Sequence, residues 1–322
     1  MGNKNCLLRL GKLRVIVTKK CNLGCLYCHK EGQFSRRKSI SPGEFVALTR
    51  VACDYGLDEI KYSGGEPLLY APLVELIRDA KSVGRVPRVS LTTNGILLEE
   101  RVKELNDGGL DELSISFDTL NVDVFSTLNR GKKKDFCRIL SGIEKARSYK
   151  WDVSLNMTLT RYNSSEVGHM IDFARERDLV LRLISFIPLS VAPADSVSAD
   201  ASQIFKELKE SAVEAVQDPN SPSYTHLRLG NGARVCLVDS SCFSCELCGK
   251  SYALRLTTDG KLKPCLISEQ VEIDVVTPFR QSDEKQLQER FCQAIAIKKL
   301  GLMKYLNVPI KNLSRDVLTE DP

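Results

Sequence analysis

Apolar and polar positions in the first 190 residues follow two alternating periods. Short apolar runs predict strands, and each is followed by a longer stretch with apolar residues three or four positions apart, which predicts a helix. Alternating units of this kind favour parallel strands joined by right-handed crossovers. Strands are expected near residues 12–18, 58–62, 88–92, 112–117, 152–158 and 181–186, and helices near 42–55, 71–83, 98–108, 135–148, 164–177 and 200–217.

Local signals support these boundaries and indicate where the pattern changes. Ser41 followed by Pro42 and Glu44 is typical of a helix start, and Gly108-Gly109 of a helix end. From about residue 187 to 235 the chain is rich in proline-containing loops around one predicted helix. We therefore predict an α/β domain over residues 1–190 and a smaller domain over residues 191–322.

Three cysteines follow the first predicted strand directly. Cys21, Cys25 and Cys28 are separated by three and two residues. Thiolates at this spacing can bind three irons of one 4Fe–4S cluster, whereas electron-transfer clusters usually have four cysteines. The fourth iron would then be free to bind something else. A zinc loop and a chance cluster in a cysteine-rich chain are the alternatives.

Small polar residues also end the next strands of the predicted sheet. Ser63-Gly64-Gly65-Glu66-Pro67 follows the second strand, Thr92-Thr93-Asn94-Gly95 ends the third, and Ser114-Ile115-Ser116-Phe117-Asp118 ends the fourth. With the cysteine triad, these motifs resemble the radical S-adenosylmethionine (SAM) superfamily. The resemblance implies a partial (βα)6 barrel whose site lies at the carboxyl ends of the strands. It also implies reductive cleavage of SAM to a 5′-deoxyadenosyl radical.

The same resemblance implies the residues that contact SAM. Cys21, Cys25 and Cys28 would hold the catalytic cluster, whose open iron chelates the amino and carboxylate groups of SAM. Ile187 stands where the family usually has a methionine. The implied SAM contacts are Tyr27, Gly64, Gly65, Glu66, Ser116 and Ile187.

A second group of cysteines lies in the predicted smaller domain. Cys245 and Cys248 form a Cys-x2-Cys pair, and Asp259-Gly260 predicts a hairpin that returns Cys265 toward them. Such ligands can bind structural zinc or a second iron–sulfur cluster. Cys242 could replace one ligand or add a fourth, and Cys236 is a weaker candidate for that role.

A narrower resemblance bears on this second site. The Cys-x2-Cys pair followed by Arg-Leu-Thr-x-Asp-Gly-x-Leu-x-x-Cys-Leu is similar to the GTP 3′,8-cyclase family of molybdenum-cofactor biosynthesis. That resemblance implies a second 4Fe–4S cluster on Cys245, Cys248 and Cys265, and radical cyclisation of GTP. It also implies substrate contacts by Arg14, Lys61, Thr92 and Arg255.

The chain departs from this family at several positions. Lys61 replaces an arginine, Ser154 stands where a phosphate-binding lysine is usual, and Ala253 replaces a second arginine. The family's terminal Gly-Gly is also absent, because the sequence ends Asp321-Pro322. A paralogue acting on another nucleotide or small anion therefore remains an alternative. A peptide-modifying radical enzyme and a non-enzymatic metal-binding protein are two others.

Composition limits the partners and the compartment. A net charge of +5 suits an anionic small substrate and does not indicate nucleic acid, and no apolar run is long enough to span a membrane. The 12 cysteines occur partly in groups, which favours metal binding in a reducing, cytoplasmic environment over disulfides. The resemblance implies a low-potential electron donor such as ferredoxin or flavodoxin, and a homodimer is a further expectation.

Overall fold

The six predicted strands form the centre of one sheet. The computed structural model describes residues 9–32, 38–187, 194–219, 221, 223–239, 253–266 and 271–300. The strands are β1 Gly11–Ile16, β2 Leu57–Ser63, β3 Arg88–Thr93, β4 Glu112–Ser116, β5 Asp152–Thr158, β6 Val180–Ile184, β7 Ala212–Gln217, β8 Tyr224–Leu229, β9 Arg234–Val238, β10 Ala253–Leu256, β11 Lys261–Lys263 and β12 Ile273–Asp274.

Helices follow the first strands as the alternating pattern predicts. Short 3₁₀ turns cover Lys30–Gly32, Pro67–Leu69 and Ser164–Glu166. The α-helices are α1 Pro42–Cys53, α2 Leu73–Ser82, α3 Leu98–Gly108, α4 Val122–Leu128, α5 Lys133–Ala146, α6 Val167–Glu176, α7 Ala194–Val197, α8 Ala201–Ser211, α9 Val276–Arg280 and α10 Glu284–Leu300.

Neighbouring parallel strands place the sequence motifs that follow them at one edge of the sheet. The sheet order is β12-β11-β10-β1-β2-β3-β4-β5-β6-β9-β8-β7. Strand β10, strands β1 to β6 and strand β9 run parallel, so their carboxyl ends share an edge. The sheet is open, because β12 and β7 stand at opposite ends of the order. An open sheet in which strands β1 to β6 are parallel and each is followed by a helix is the predicted partial barrel.

The helix signals in the sequence are confirmed at α1 and α3. The Ser41 hydroxyl accepts a hydrogen bond from Glu44 N at 3.3 Å, and the Glu44 carboxylate accepts one from Ser41 N at 2.7 Å. This reciprocal capping satisfies two amides that the first turn leaves unbonded. Gly109 ends α3 with φ 91°, a left-handed conformation that favours glycine.

The prediction of one helix over residues 200–217 is wrong from Ala212 onward. Helix α8 ends at Ser211, and Ala212–Gln217 form β7, which pairs antiparallel with β8. Valine is favoured in strands, and pairing with β8 bonds backbone groups that a helix end would leave open. The region predicted as loops around a single helix thus also contains α7 and the antiparallel strands β7 to β9.

Both predicted domains contribute to this sheet. Strand β9 pairs with β6, and β10 pairs with β1, so the later segments extend the sheet at each side of β1 to β6. The predicted hairpin is present: β10 and β11 are antiparallel, and Gly260 adopts φ 76° in the turn between them. The domain boundary near residue 190 stays a prediction.

Candidate active site

The loop after β1 carries the three cysteines, and two neighbouring segments hold it. Gly65 N donates to Thr18 O at 2.7 Å, and Glu66 N donates to Lys20 O at 2.7 Å. On the other side, Gly24 N donates to Asn129 O at 3.2 Å. Segments from β2 and α4 therefore fix the backbone around the cysteines, which line a cavity of about 240 Å³ at the carboxyl edge of the sheet.

Each cysteine sulfur lies near an N–H donor. Leu23 N lies 3.5 Å from the Cys21 sulfur, Asn129 Nδ2 lies 3.4 Å from that of Cys25, and Lys30 N lies 3.4 Å from that of Cys28. Burial raises the pKa of all three thiols, that of Cys25 to about 12. Donors aimed at sulfur suit metal-bound thiolates, because a coordinated thiol is deprotonated. The donor set therefore fits an iron–sulfur cluster.

Among the described residues, no three cysteine, histidine or carboxylate side chains converge closely enough to hold one metal ion.

The two glycines of the Gly-Gly-Glu-Pro motif are required by the chain itself. A Cβ at Gly64 would lie 2.5 Å from Thr18 O, and one at Gly65 would lie 2.2 Å from Lys20 O. A glycine has no Cβ, so it lets another backbone segment approach closely. The structure shows that the backbone they admit is the cysteine loop, although both residues also line the cavity.

The carboxylate of Glu66 accepts three hydrogen bonds inside the protein. It is fully buried and accepts hydrogen bonds from Leu68 N at 2.9 Å, Thr93 Oγ1 at 2.7 Å and Asn94 N at 2.7 Å. Burial raises its pKa to about 7, against the lowering effect of these donors. The carboxylate thus organises the loop after β3. Its contact with SAM stays a prediction.

Most of the other predicted site residues meet at the same cavity. They come from the ends of five different strands and from the loops that follow. Ile187 is the last residue described before residue 194. The predicted residues that line the cavity are Arg14, Cys21, Cys25, Tyr27, Cys28, Lys61, Gly64, Gly65, Thr92, Ser116 and Ile187.

A buried carboxylate, Glu31, joins two of the predicted substrate contacts. Arg14 Nη1 lies 3.3 Å from Glu31 Oε1, and Arg255 Nε lies 3.6 Å from Glu31 Oε2. Ser63 Oγ donates to the same carboxylate at 2.6 Å. Burial opposes ionisation of Glu31, but the two arginines outweigh it and lower its pKa to about 2. Glu31 is therefore an ionised carboxylate that holds the guanidinium group of Arg14 at the cavity and also pairs with that of Arg255.

A second carboxylate, Glu112, forms ion pairs with three basic side chains. Lys61 Nζ lies 3.5 Å from Glu112 Oε1, and Arg182 Nη2 lies 2.9 Å from the same oxygen. Arg88 Nε donates to Glu112 Oε2 at 3.0 Å. Burial lowers the pKa of Lys61 to about 8, with nearby Arg182 and Arg14 acting in the same direction and Glu112 opposing it.

Sequence reasoning missed Arg182, although a signal was present. It lies on β6 between buried Leu181 and Leu183, lines the cavity, and donates to Ser114 Oγ at 2.7 Å. Alternation along a barrel strand places every second side chain inside. An arginine at such an inward position of a predicted strand was the available signal. With Arg14 and Lys61 it makes the cavity wall cationic.

Tyr27 is held by a buried carboxylate that the sequence did not single out. Its hydroxyl donates to Asp118 Oδ2 at 2.6 Å, and Asp118 Oδ1 accepts from Thr158 N at 2.9 Å. Asn129 Nδ2 donates to Asp118 Oδ2 at 2.7 Å. Asp118 thus links the cysteine loop to β5 and to the end of α4.

The second cysteine group is only partly described. Cys242, Cys245 and Cys248 lie outside the described residues, while Cys265 follows β11 and is partly exposed. Because β11 runs antiparallel to β10, it carries the chain toward the amino ends of the parallel strands. Cys265 therefore lies toward the edge opposite the first cysteine loop. Cys236 is fully buried within β9.

Comparison with known proteins agrees with this geometry. The family model described as the radical SAM superfamily matches residues 15–174. A protein of Methanothermobacter thermautotrophicus named "Probable GTP 3′,8-cyclase" is 35% identical over 291 residues, which cover 88% of this chain and 93% of its own. One of the same name from Methanocaldococcus jannaschii is 35% identical, covering 84% of this chain and 90% of its own.

Solved structures support the fold. SuiB of Streptococcus suis superposes with a TM-score of 0.63 at 14% identity, covering 84% of this chain and 64% of SuiB, so this chain spans less than two thirds of SuiB. The enzyme anSMEcpe with bound AdoMet gives a TM-score of 0.61 at 16% identity, covering 89% of this chain and 80% of its own.

These matches define a radical SAM enzyme, a class that contains a 4Fe–4S cluster and uses SAM. The chain belongs to that superfamily and, within it, to the family of the relatives named GTP 3′,8-cyclase. No helix among the described residues is both long and apolar enough to cross a bilayer.

Proposed function

We propose that this enzyme converts GTP to (8S)-3′,8-cyclo-7,8-dihydroguanosine 5′-triphosphate in molybdopterin biosynthesis. The proposal rests on relatives named as GTP 3′,8-cyclases that match nearly the whole length of both chains. Cys21, Cys25 and Cys28 would hold the first cluster, which supplies the electron that cleaves SAM to a 5′-deoxyadenosyl radical. That radical would take the hydrogen from C3′ of the ribose and leave as 5′-deoxyadenosine, and the C3′ radical would bond to C8 of the guanine. One further electron from the electron donor and one proton would then convert the resulting radical at N7 to the N7–H of the product.

The cationic interior supports a triphosphate substrate. Arg14, Lys61 and Arg182 line the cavity, and Glu31 and Glu112 hold them in place. With Arg255 and Arg88, five basic groups surround the two carboxylates, so positive charge is in excess when Lys61 is protonated. Such fixed cations bind phosphate oxygens by charge-assisted hydrogen bonds. Thr92 would add a hydroxyl to the same wall.

Tyr27, Gly64, Gly65, Ser116 and Ile187 would contact SAM. They line the same cavity as the cysteines, and Asp118 fixes the Tyr27 ring. Residues from several strands surround the cavity, which would limit the access of water to the radical. Glu66 would act through the loop after β3, which it holds by two hydrogen bonds.

A second 4Fe–4S cluster on Cys245, Cys248 and Cys265 is part of the proposal. The position of Cys265 toward the opposite edge supports a substrate that lies inside the barrel between two cysteine sites. The base of the nucleotide would face this second cluster and the phosphates would face the interior cations. Residues 191–322 would then form the smaller, cluster-binding domain.

Two departures from the family favour a second candidate. Ser154 is buried beside Ser114, 3.3 Å between the hydroxyl oxygens, and contributes no charge where a lysine is usual. Ala253, at the start of β10, likewise lacks the guanidinium usual there. A related enzyme that acts on another nucleotide or small anion is therefore the second candidate.

The electron donor would be a low-potential ferredoxin or flavodoxin. The donor must approach the first cluster, and the exposed Cys21 lies on that side. Arg130, Lys132 and Lys133 are exposed, and a Cβ at Gly24 would lie 3.3 Å from the Arg130 side chain. This basic surface beside the loop suits an acidic donor. Reduced cysteines suit a cytoplasmic location, and a homodimer remains an expectation.

Anaerobic reconstitution tests the proposal. The loaded enzyme with SAM and dithionite should form 5′-deoxyadenosine and the cyclised nucleotide from GTP, measured by mass spectrometry. A parallel series with ATP, CTP and UTP tests the second candidate. Turnover of another nucleotide, with no GTP binding in calorimetry at about millimolar concentration, would overturn the GTP assignment.

A further inference from the structure

Asn129 places a side-chain amide against one of the cluster cysteines. It is the first residue after α4 and is 3% exposed. Its Nδ2 lies 3.4 Å from the Cys25 sulfur, and its backbone oxygen accepts from Gly24 N at 3.2 Å. The residue therefore touches the cysteine loop with both its main chain and its side chain.

The orientation of this amide is set by a second acceptor. Nδ2 also donates to Asp118 Oδ2 at 2.7 Å, and Oδ1 is buried with no hydrogen-bond partner among the described residues. A flipped amide would aim its oxygen at a carboxylate and a thiolate, and both would repel it. Tyr27 and Thr158 in turn fix the Asp118 carboxylate. An N–H group therefore points at Cys25.

We propose that Asn129 is a positioning residue that donates an N–H···S hydrogen bond to the cluster thiolate of Cys25 and raises the reduction potential of the cluster. Reduction adds negative charge to the cluster, and part of it resides on sulfur. A donor aimed at that sulfur stabilises the reduced form more than the oxidised form. The inference rests on the proposed placement of the first cluster and is independent of the identity of the substrate.

Asn129 differs from the donors near the other two cysteines. Cys21 and Cys28 face the backbone amides of Leu23 and Lys30, which no side-chain substitution removes. Asn94 Nδ2 lies 3.9 Å from the Cys21 sulfur and already donates to Asn22 Oδ1 at 2.7 Å. Among the described residues, Asn129 thus offers the shortest side-chain donor to a cluster sulfur.

The test is an EPR-monitored redox titration of Asn129→Leu, which keeps the volume and removes the donor. The potential should become more negative, with an about tenfold lower ratio of reduced to oxidised cluster at a fixed solution potential, which corresponds to about 59 mV for one electron. Asn121→Ala is the matched control. It removes the N-cap side chain of α4, whose Oδ1 accepts from Asp123 N, and leaves the donor to Cys25 in place.

Iron content separates failure of this inference from failure of the proposed site. Wild-type protein without a cluster on Cys21, Cys25 and Cys28 would remove the basis of the proposal. An iron-loaded leucine variant with an unchanged potential would overturn the role of Asn129. If the variant does not load, wild-type protein with 15N in its asparagine amides is measured by pulsed EPR. The reduced cluster should show a 15N coupling, and its absence would also overturn the assignment.

Discussion

Glu31 and Arg255 form a buried ion pair, with 3.6 Å between Oε2 and Nε. Glu31 belongs to the cysteine loop after β1, and Arg255 belongs to β10, which leads into the hairpin carrying Cys265. The pair thus joins the two proposed cluster regions directly. Arg14, next to Arg255 in the parallel register, binds the same carboxylate.

Substitution Glu31→Gln should destabilise the protein strongly. Both arginines would keep their charge while losing a buried partner, a change that typically costs about 3–5 kcal/mol. Chemical denaturation at neutral pH measures the difference in free energy of unfolding between wild type and variant. Glu100→Gln is the control, because its pair with Arg138 is exposed and worth about 0–1 kcal/mol. Equal effects of the two substitutions would contradict the assigned role.

The effect of Glu31→Gln should also depend on pH. The pKa of Glu31 in the folded protein is about 2, below its ordinary value of 4.5. A lowered pKa contributes stability that is complete above the ordinary value and is lost as the pH falls toward the folded one. The difference in free energy of unfolding between wild type and variant should therefore shrink as the pH falls from about 4.5 to about 2. A difference that stays constant over this range would exclude the ionised carboxylate as its cause.

Replacement of Cys21, Cys25 or Cys28 by alanine should abolish reductive cleavage of SAM. Each variant removes one of the three thiolates, and the cluster cannot then hold its open iron in the same place. Formation of 5′-deoxyadenosine under dithionite measures the loss. Cys137→Ala, at an exposed position of α5, is the control and should retain activity. Full activity in any of the three cysteine variants would refute the assignment.

The second cysteine group should bind iron independently of the first. Reconstituted wild-type protein should contain about eight irons, and the variant with alanine at Cys245, Cys248 and Cys265 should keep about four with SAM cleavage intact. Inductively coupled plasma mass spectrometry measures the iron and zinc content of both proteins. One equivalent of zinc with only about four irons in wild type would favour the structural zinc site instead.

Binding of GTP should weaken as Lys61 loses its proton. Its pKa is about 8, lowered first by burial, so the charge is lost as the pH rises through this value. The groups that face it are Glu112, Arg182, Arg14 and Glu59. Calorimetry should show an about tenfold weaker Kd near pH 9 than near pH 7. Lys61→Arg should remove this dependence, and an unchanged slope in that variant would assign it to another group.

Ser154→Lys should tighten GTP binding and lower the stability of the free enzyme. The new ammonium would lie near Ser114, to which Arg182 also donates, so without an anion it adds repulsion to the barrel interior. One charge-assisted contact is worth about 1.5–3 kcal/mol, or roughly tenfold to a hundredfold in Kd. Calorimetry and thermal unfolding measure the two effects. Ser154→Met, of similar length, separates charge from size, and equal Kd values for both variants would count against a phosphate at this position.

Local sequence patterns were enough to predict the central strands of the barrel and most of the helices between them. The strands β1 to β6 and most helix boundaries follow from apolar periodicity, caps and glycine stops, which depend on neighbours within a few positions. The motifs after β1, β2, β3 and β4 could be placed at one edge because parallel strands align their carboxyl ends. The class of chemistry followed from that placement.

Contacts between distant residues decided the remainder. Ala212–Gln217 form a strand because β8 supplies a partner, whereas the local sequence continues a helical pattern. Glu112 meets Lys61 and Arg182 across separations of 51 and 70 residues, and Asn129 meets Cys25 across 104. Burial lowers the pKa of Lys61, whereas Arg14 and Arg255 lower the pKa of Glu31 against the effect of its burial. No local period records such pairings, because only the sheet register and helix packing bring the groups together.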